Sequence, residues 1–62
     1  MILEIRGRKL IVTDMFVVTP KRDAILRYNV FDENYERLTT IDAKDYNDFI
    51  NILNMRLTLN EF

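Results

Sequence analysis

Carboxylates are the residues in this chain best placed to do chemistry, because its 62 residues include no histidine and no cysteine. That removes the commonest general base and the strongest nucleophile. Two carboxylates can share acid and base roles, and Asp14 with Asp23 or Glu4 is the pairing available. Such a pair must line a pocket, and so short a chain has little room for a cleft. No catalytic residue is assigned, and the chain is not expected to be an enzyme. Asp42, Asp45 and Asp48, with Asn47 among them, form an acidic group. Their spacing is not that of a calcium-binding loop, and the glycine such a loop needs for its sharp turn is missing. Zinc sites are mostly built from Cys and His, which the chain lacks. With one glycine there is no phosphate-cradling loop. Neither metal nor cofactor is expected, and helix capping accounts for the three aspartates better.

Binding chemistry is better supplied. Arg6, Arg8 and Lys9 cluster at one point, Lys21 and Arg22 at another, and Phe16, Tyr28, Phe31 and Tyr35 offer aromatic faces. Basic residues with stacking platforms can hold a single strand of nucleic acid. Arg8, Lys9, Lys21, Arg22 and Tyr35 are therefore the candidate partner-binding residues.

The elements that carry these residues follow from hydrophobic period. Met1 to Arg6 alternates as a first strand, and Gly7-Arg8 supplies a tight turn. Lys9 to Thr19 is a long β-prone run, apolar on both faces. One face carries Leu10, Val12, Phe16 and Val18, and the other Ile11, Met15 and Val17; Asp14 marks a bulge or an edge. Thr19 to Asp23 turns around Pro20, and Ala24 to Asp32 is a third strand. Asn34 is the expected left-handed residue of the next turn, and Glu36 to Ile41 is a short fourth strand. The period then changes. Asp42 is the expected N-cap, with Asp45 three residues on and Ile41 and Tyr46 spaced as a hydrophobic staple. Tyr46, Phe49, Ile50, Leu53 and Leu57 make one helical stripe. The helix is expected to fray after Met55, leaving 56–62 as helix or extended tail.

The expected fold is thus one α+β domain over 1–62: a four-stranded antiparallel meander followed by one C-terminal helix, β-β-β-β-α. Its core is expected from Leu3, Ile5, Leu10, Val12, Phe16, Val18, Leu26, Tyr28, Val30, Leu38, Ile41, Tyr46, Phe49, Ile50 and Leu53. This order and length resemble the dimeric single-stranded-DNA-binding domain of a class of transcriptional coactivators. The resemblance implies a nucleic-acid-binding sheet surface. The charge layout speaks the other way. The meander sets Arg8 and Lys9 near Asp32, Glu33 and Glu36, and Lys21 and Arg22 near Asp23 and the acidic helix start. Phosphate binding draws on uncompensated cations.

Size points to association. A chain this short buries only about 60% of its unfolded surface. Disulfides and a structural metal are absent as remedies, so a homodimer or larger oligomer is expected. Ile11, Met15 and Val17 on the second strand, with Ile52, Met55 and Leu59 on the helix, are the candidate interface. The apolar tail (Leu57, Leu59, Phe62) adds to it. No apolar run is long enough for a membrane span or signal peptide, so a cytoplasmic protein that does not enter membranes is expected. A small Cys-free domain with no catalytic kit fits a non-enzymatic accessory protein of a phage or mobile element. Such a protein would inhibit or regulate a protein partner, and single-stranded nucleic-acid binding is the alternative.

Overall fold

A computed structural model describes residues 1–59. Four strands, β1 (Ile2–Ile5), β2 (Arg8–Val18), β3 (Ala24–Phe31) and β4 (Arg37–Ala43), are followed by one helix, α1 (Tyr46–Thr58). The strands pair antiparallel in chain order β1-β2-β3-β4, so the fold is the α+β meander expected.

Each turn follows from the need to reverse direction with one glycine. Arg6 and Gly7 both take positive φ, 51° and 74°, and close the two-residue turn that joins Ile5 to Arg8. The other two turns share one design. At the second, the Arg22 amide donates to the Thr19 carbonyl, and the Thr19 amide to the Asp23 carbonyl. At the third, the Tyr35 amide donates to the Asp32 carbonyl, and the Asp32 amide to the Glu36 carbonyl. The left-handed position falls on Arg22 (φ 64°) and on Tyr35 (φ 62°), not on Asn34. Asn34 is held elsewhere: its amide donates to the Asp32 side chain at 2.8 Å, as does that of Glu36 at 3.0 Å.

Fourth strand and helix start both lie further along the chain than expected. β4 runs on to Ala43, because Ile41 and Ala43 both face the core opposite Tyr28 and Leu26. Asp42 between them points outward and forms a two-pronged ion pair with Arg27, its cross-strand neighbour, at 2.8 and 3.1 Å. It cannot also cap the helix. Asp45 does so, taking the Asp48 amide at 2.8 Å, while Asp48 accepts from the Lys44 amide at 3.1 Å. The expected staple of Ile41 with Tyr46 is lost with the shift. At its other end α1 does not fray after Met55 but continues to Thr58. Arg56 ties it to the Thr39 hydroxyl at 2.6 Å and the Thr40 carbonyl. Arg6 ties it to the Asn54 side chain and the Thr58 hydroxyl at 3.2 and 2.7 Å. The expectation for the tail beyond Leu59, Phe62 included, lies outside the described residues.

The core holds Leu10, Val12, Tyr28, Val30, Ile41, Ala43, Phe49 and Leu53, flanked by Leu3, Ile5, Leu26, Leu38, Ile50, Ile52 and Leu57. Ala43 joins it because β4 is longer than expected. Phe16 and Val18 leave it, at 77% and 69% exposed, and so does Tyr46 at 42%. Length explains the first two. Eleven residues of β2 extend about 36 Å. Thirteen residues of α1 extend about 20 Å. The helix starts beyond the end of β4 and reaches the β1–β2 turn at its far end, so it crosses the sheet diagonally. The second half of β2 has no helix over it.

Candidate interaction site

That uncovered half of β2 has a second open side. β1 pairs with β2 only from Arg8 to Ile11, and Met1 extends the contact by one residue. There the Val12 amide donates to the Met1 carbonyl at 2.8 Å, and the terminal ammonium of Met1 donates to the Val12 carbonyl at 2.8 Å. Backbone groups in an antiparallel strand point to alternate sides with period two. The N–H and C=O groups of Asp14, Phe16 and Val18 therefore point the way those of Val12 do, past the end of β1. No strand of the described residues pairs with them there. The run ends at Pro20, which has no N–H to offer.

Most side chains on the same run are apolar, and those of Met15, Phe16 and Val18 are exposed. Phe16 and Val18 stand on the helix side, where Leu26, half-buried, lies opposite Phe16. Met15, 54% exposed, and Val17 stand on the outer face with Ile25 opposite Val17. Asp14 is the one charge between Thr13 and Val18. Such an edge is what soluble proteins usually shorten, cover or load with charge.

Behind the sheet, the outer face is bare and banded. Ile2, Ile11 and Phe31 align in one row, Thr13, Asn29 and Thr40 in the next, then Met15, Arg27 and Asp42. The Thr40 hydroxyl donates to Asn29 at 3.0 Å, which joins the middle row. Its charges are largely matched: Arg27 holds Asp42, and Lys9 stands opposite Glu4. The guanidinium of Arg27 keeps the Asp42 carboxyl below its ordinary range, chiefly by hydrogen bonding, and Asp42 in turn raises Arg27.

The candidate partner-binding residues do not form one site. Arg8 and Lys9 line a shallow open groove of about 330 Å³ with Gly7, Asp32, Glu33 and Asn34. Tyr35, 72% exposed, follows in the same turn as Asn34. Lys21 and Arg22 belong to the turn at the opposite end of a molecule 37 Å long. Of the candidate interface residues, Ile11, Met15 and Val17 share the outer face, with Ile11 and Val17 half-buried. The helical ones lie on the other side of the sheet and divide: Met55 and Leu59 are exposed, whereas Ile52 packs against the core. What the sequence reading missed was the free backbone edge. Its signal was a length mismatch, since a strand of eleven residues was set beside a first strand about half as long.

Among the described residues no three acidic side chains converge on a point. Asp42, Asp45 and Asp48 are each engaged by Arg27 or by backbone amides. No described helix is long and apolar enough to cross a membrane. Comparison with protein-family models, with curated proteins and with solved structures finds no match.

Proposed function

We propose that this chain is a non-enzymatic interaction protein, an inhibitor or regulator of a partner protein, that works as a homo-oligomer. The observation that carries the reading is the uncovered edge of β2, where unpaired backbone groups and the exposed side chains of Met15, Phe16 and Val18 lie side by side. Main-chain pairing gives an edge affinity, and alternate side chains give it specificity. The outer face adds a second apolar area around Ile2, which is 71% exposed.

Nucleic-acid binding has less to stand on. Arg27 is neutralised by Asp42, and Arg8 and Lys9 share their groove with Asp32 and Glu33. Affinity for a phosphate backbone grows with the number of cations left free to neutralise it.

Two measurements test the reading. Sedimentation across roughly 1–100 µM, a range that brackets ordinary oligomer affinities, is expected to show a reversible rise in mass. A folded monomer throughout removes the oligomer from the proposal. Capture of a protein that binds the purified chain saturably, and whose activity falls on binding, supports the inhibitor. Salt-sensitive retention of a single-stranded oligonucleotide, with no protein captured, would replace it with the nucleic-acid reading.

A further inference from the structure

The free run of β2 is bounded on both sides. Met1 closes it at Val12, and the Thr19–Asp23 turn closes it after Val18. Between these lie Asp14 to Val18, with outward-pointing backbone at the two ends and at the centre, Phe16. We infer that this run pairs antiparallel with the same run of a second copy, about a twofold axis through Phe16. The inference rests on the interaction reading above and specifies its self-associating surface.

Register follows from the boundaries. Outward-pointing residues must meet outward-pointing residues for N–H to find C=O. Only the alignment of Phe16 with Phe16, and of Asp14 with Val18, uses the whole run without disturbing the Met1–Val12 pair. It makes about six new main-chain hydrogen bonds, two for each facing pair. A shift by two residues either way calls on Val12, already bonded to Met1, or on Pro20, which has no donor.

Side chains agree with the same alignment. Facing residues of a sheet share a face, so the two Phe16 rings meet on the helix side, with Val18 of each copy beside Asp14 of the other. On the outer face Met15 meets Val17. The two Asp14 carboxylates sit four residues apart along the ladder, roughly 14 Å, which is beyond the screening length at physiological salt. Each lies instead at the end where the other copy's turn carries Lys21 and Arg22 beside Asp23. The edge is thus complementary to itself in charge as well as in hydrogen bonding, which a foreign strand need not be. The two four-stranded sheets become one, with both helices on the same side.

Two lysine substitutions at exposed positions separate this interface from its competitor. Phe16→Lys sets like charges against each other across the axis and leaves the core of one copy untouched. It is expected to raise the dimer dissociation constant at least about tenfold, while Ile2→Lys on the outer face leaves it unchanged. Amide exchange on the wild type is expected to show Asp14, Phe16 and Val18 protected at high concentration and exposed on dilution. A dimer that survives Phe16→Lys but fails on Ile2→Lys overturns the inference and leaves self-association standing. A wild type that never dimerises overturns both. Protection of those amides only when another protein is added to a monomeric chain would seat a foreign strand on the edge, and also overturns it.

Discussion

The ring of Tyr28 on β3 lies flat against that of Phe49 on α1, with centroids 4.0 Å apart and planes 12° from parallel. This contact joins the two layers. Tyr28 sits opposite Ile41 on β4 and Asp14 on β2, at the row where the helix begins to cover the sheet. Phe49 is fully buried, and the Tyr46 ring lies tilted to it with centroids 6.0 Å apart. Burial raises the Tyr28 phenol above its ordinary pKa, and the nearby Asp14 and Asp45 add to the shift.

Phe49→Ala is expected to cost about 3–5 kcal/mol, the range for truncating a buried Phe. For so small a domain that unfolds most of the population, visible as loss of near-ultraviolet circular dichroism. Phe16→Ala, the same change at an exposed position, should alter the stability of the isolated chain by no more than about 0.5 kcal/mol. Equal effects at both positions would contradict the diagonal placement of the helix.

Helix capping separates two aspartates that look alike in sequence. Asp45→Ala is expected to cost about 1 kcal/mol through loss of the bond to the Asp48 amide. Faster exchange at that amide is the direct readout. Asp42→Ala should leave the same amide unchanged, since Asp42 belongs to β4.

Acid should act on the Arg27–Asp42 pair. The native Asp42 carboxyl lies below its unfolded value. Its contribution is therefore complete above the ordinary aspartate range, near pH 4. It is lost as pH falls through the lower native value. Asp42→Asn removes that loss, so its unfolding midpoint should vary less than the wild type's below about pH 4. The pair is close to half exposed, so the effect is modest and shrinks with salt.

Left-handed turn residues make opposite predictions. Tyr35 at φ 62° is exposed, and no hydrogen bond of its side chain is seen. Tyr35→Asn should stabilise the chain by up to about 1 kcal/mol, because Asn tolerates that conformation better. Arg6→Asn relieves similar strain but loses the bonds to Asn54 and Thr58. It should speed amide exchange in the last helical turn. A Tyr35→Asn variant that stays stable but loses a partner would place Tyr35 in a binding surface.

Much of the architecture was legible in the residues themselves. Period-two runs, the turns at Gly7 and Pro20 and the switch to a helical stripe at Phe49, Ile50, Leu53 and Leu57 are local signals, and local signals set element type and order. The position of the cap was not legible. Asp42 and Asp45 both stand three residues before another aspartate, and only the pairing of Ile41 and Ala43 with β3 decides that the strand runs on. Burial of Phe16 and Val18 was not legible either. Alternation shows which face a residue shares, but whether that face is covered depends on how far the helix reaches across the sheet. Thirteen helical residues rise too little to match eleven extended ones. Sequence by itself determined which residues alternate and which turn. Tertiary structure decided where the helix begins to cover the sheet, and with it which half of β2 is core and which half is left open for a partner.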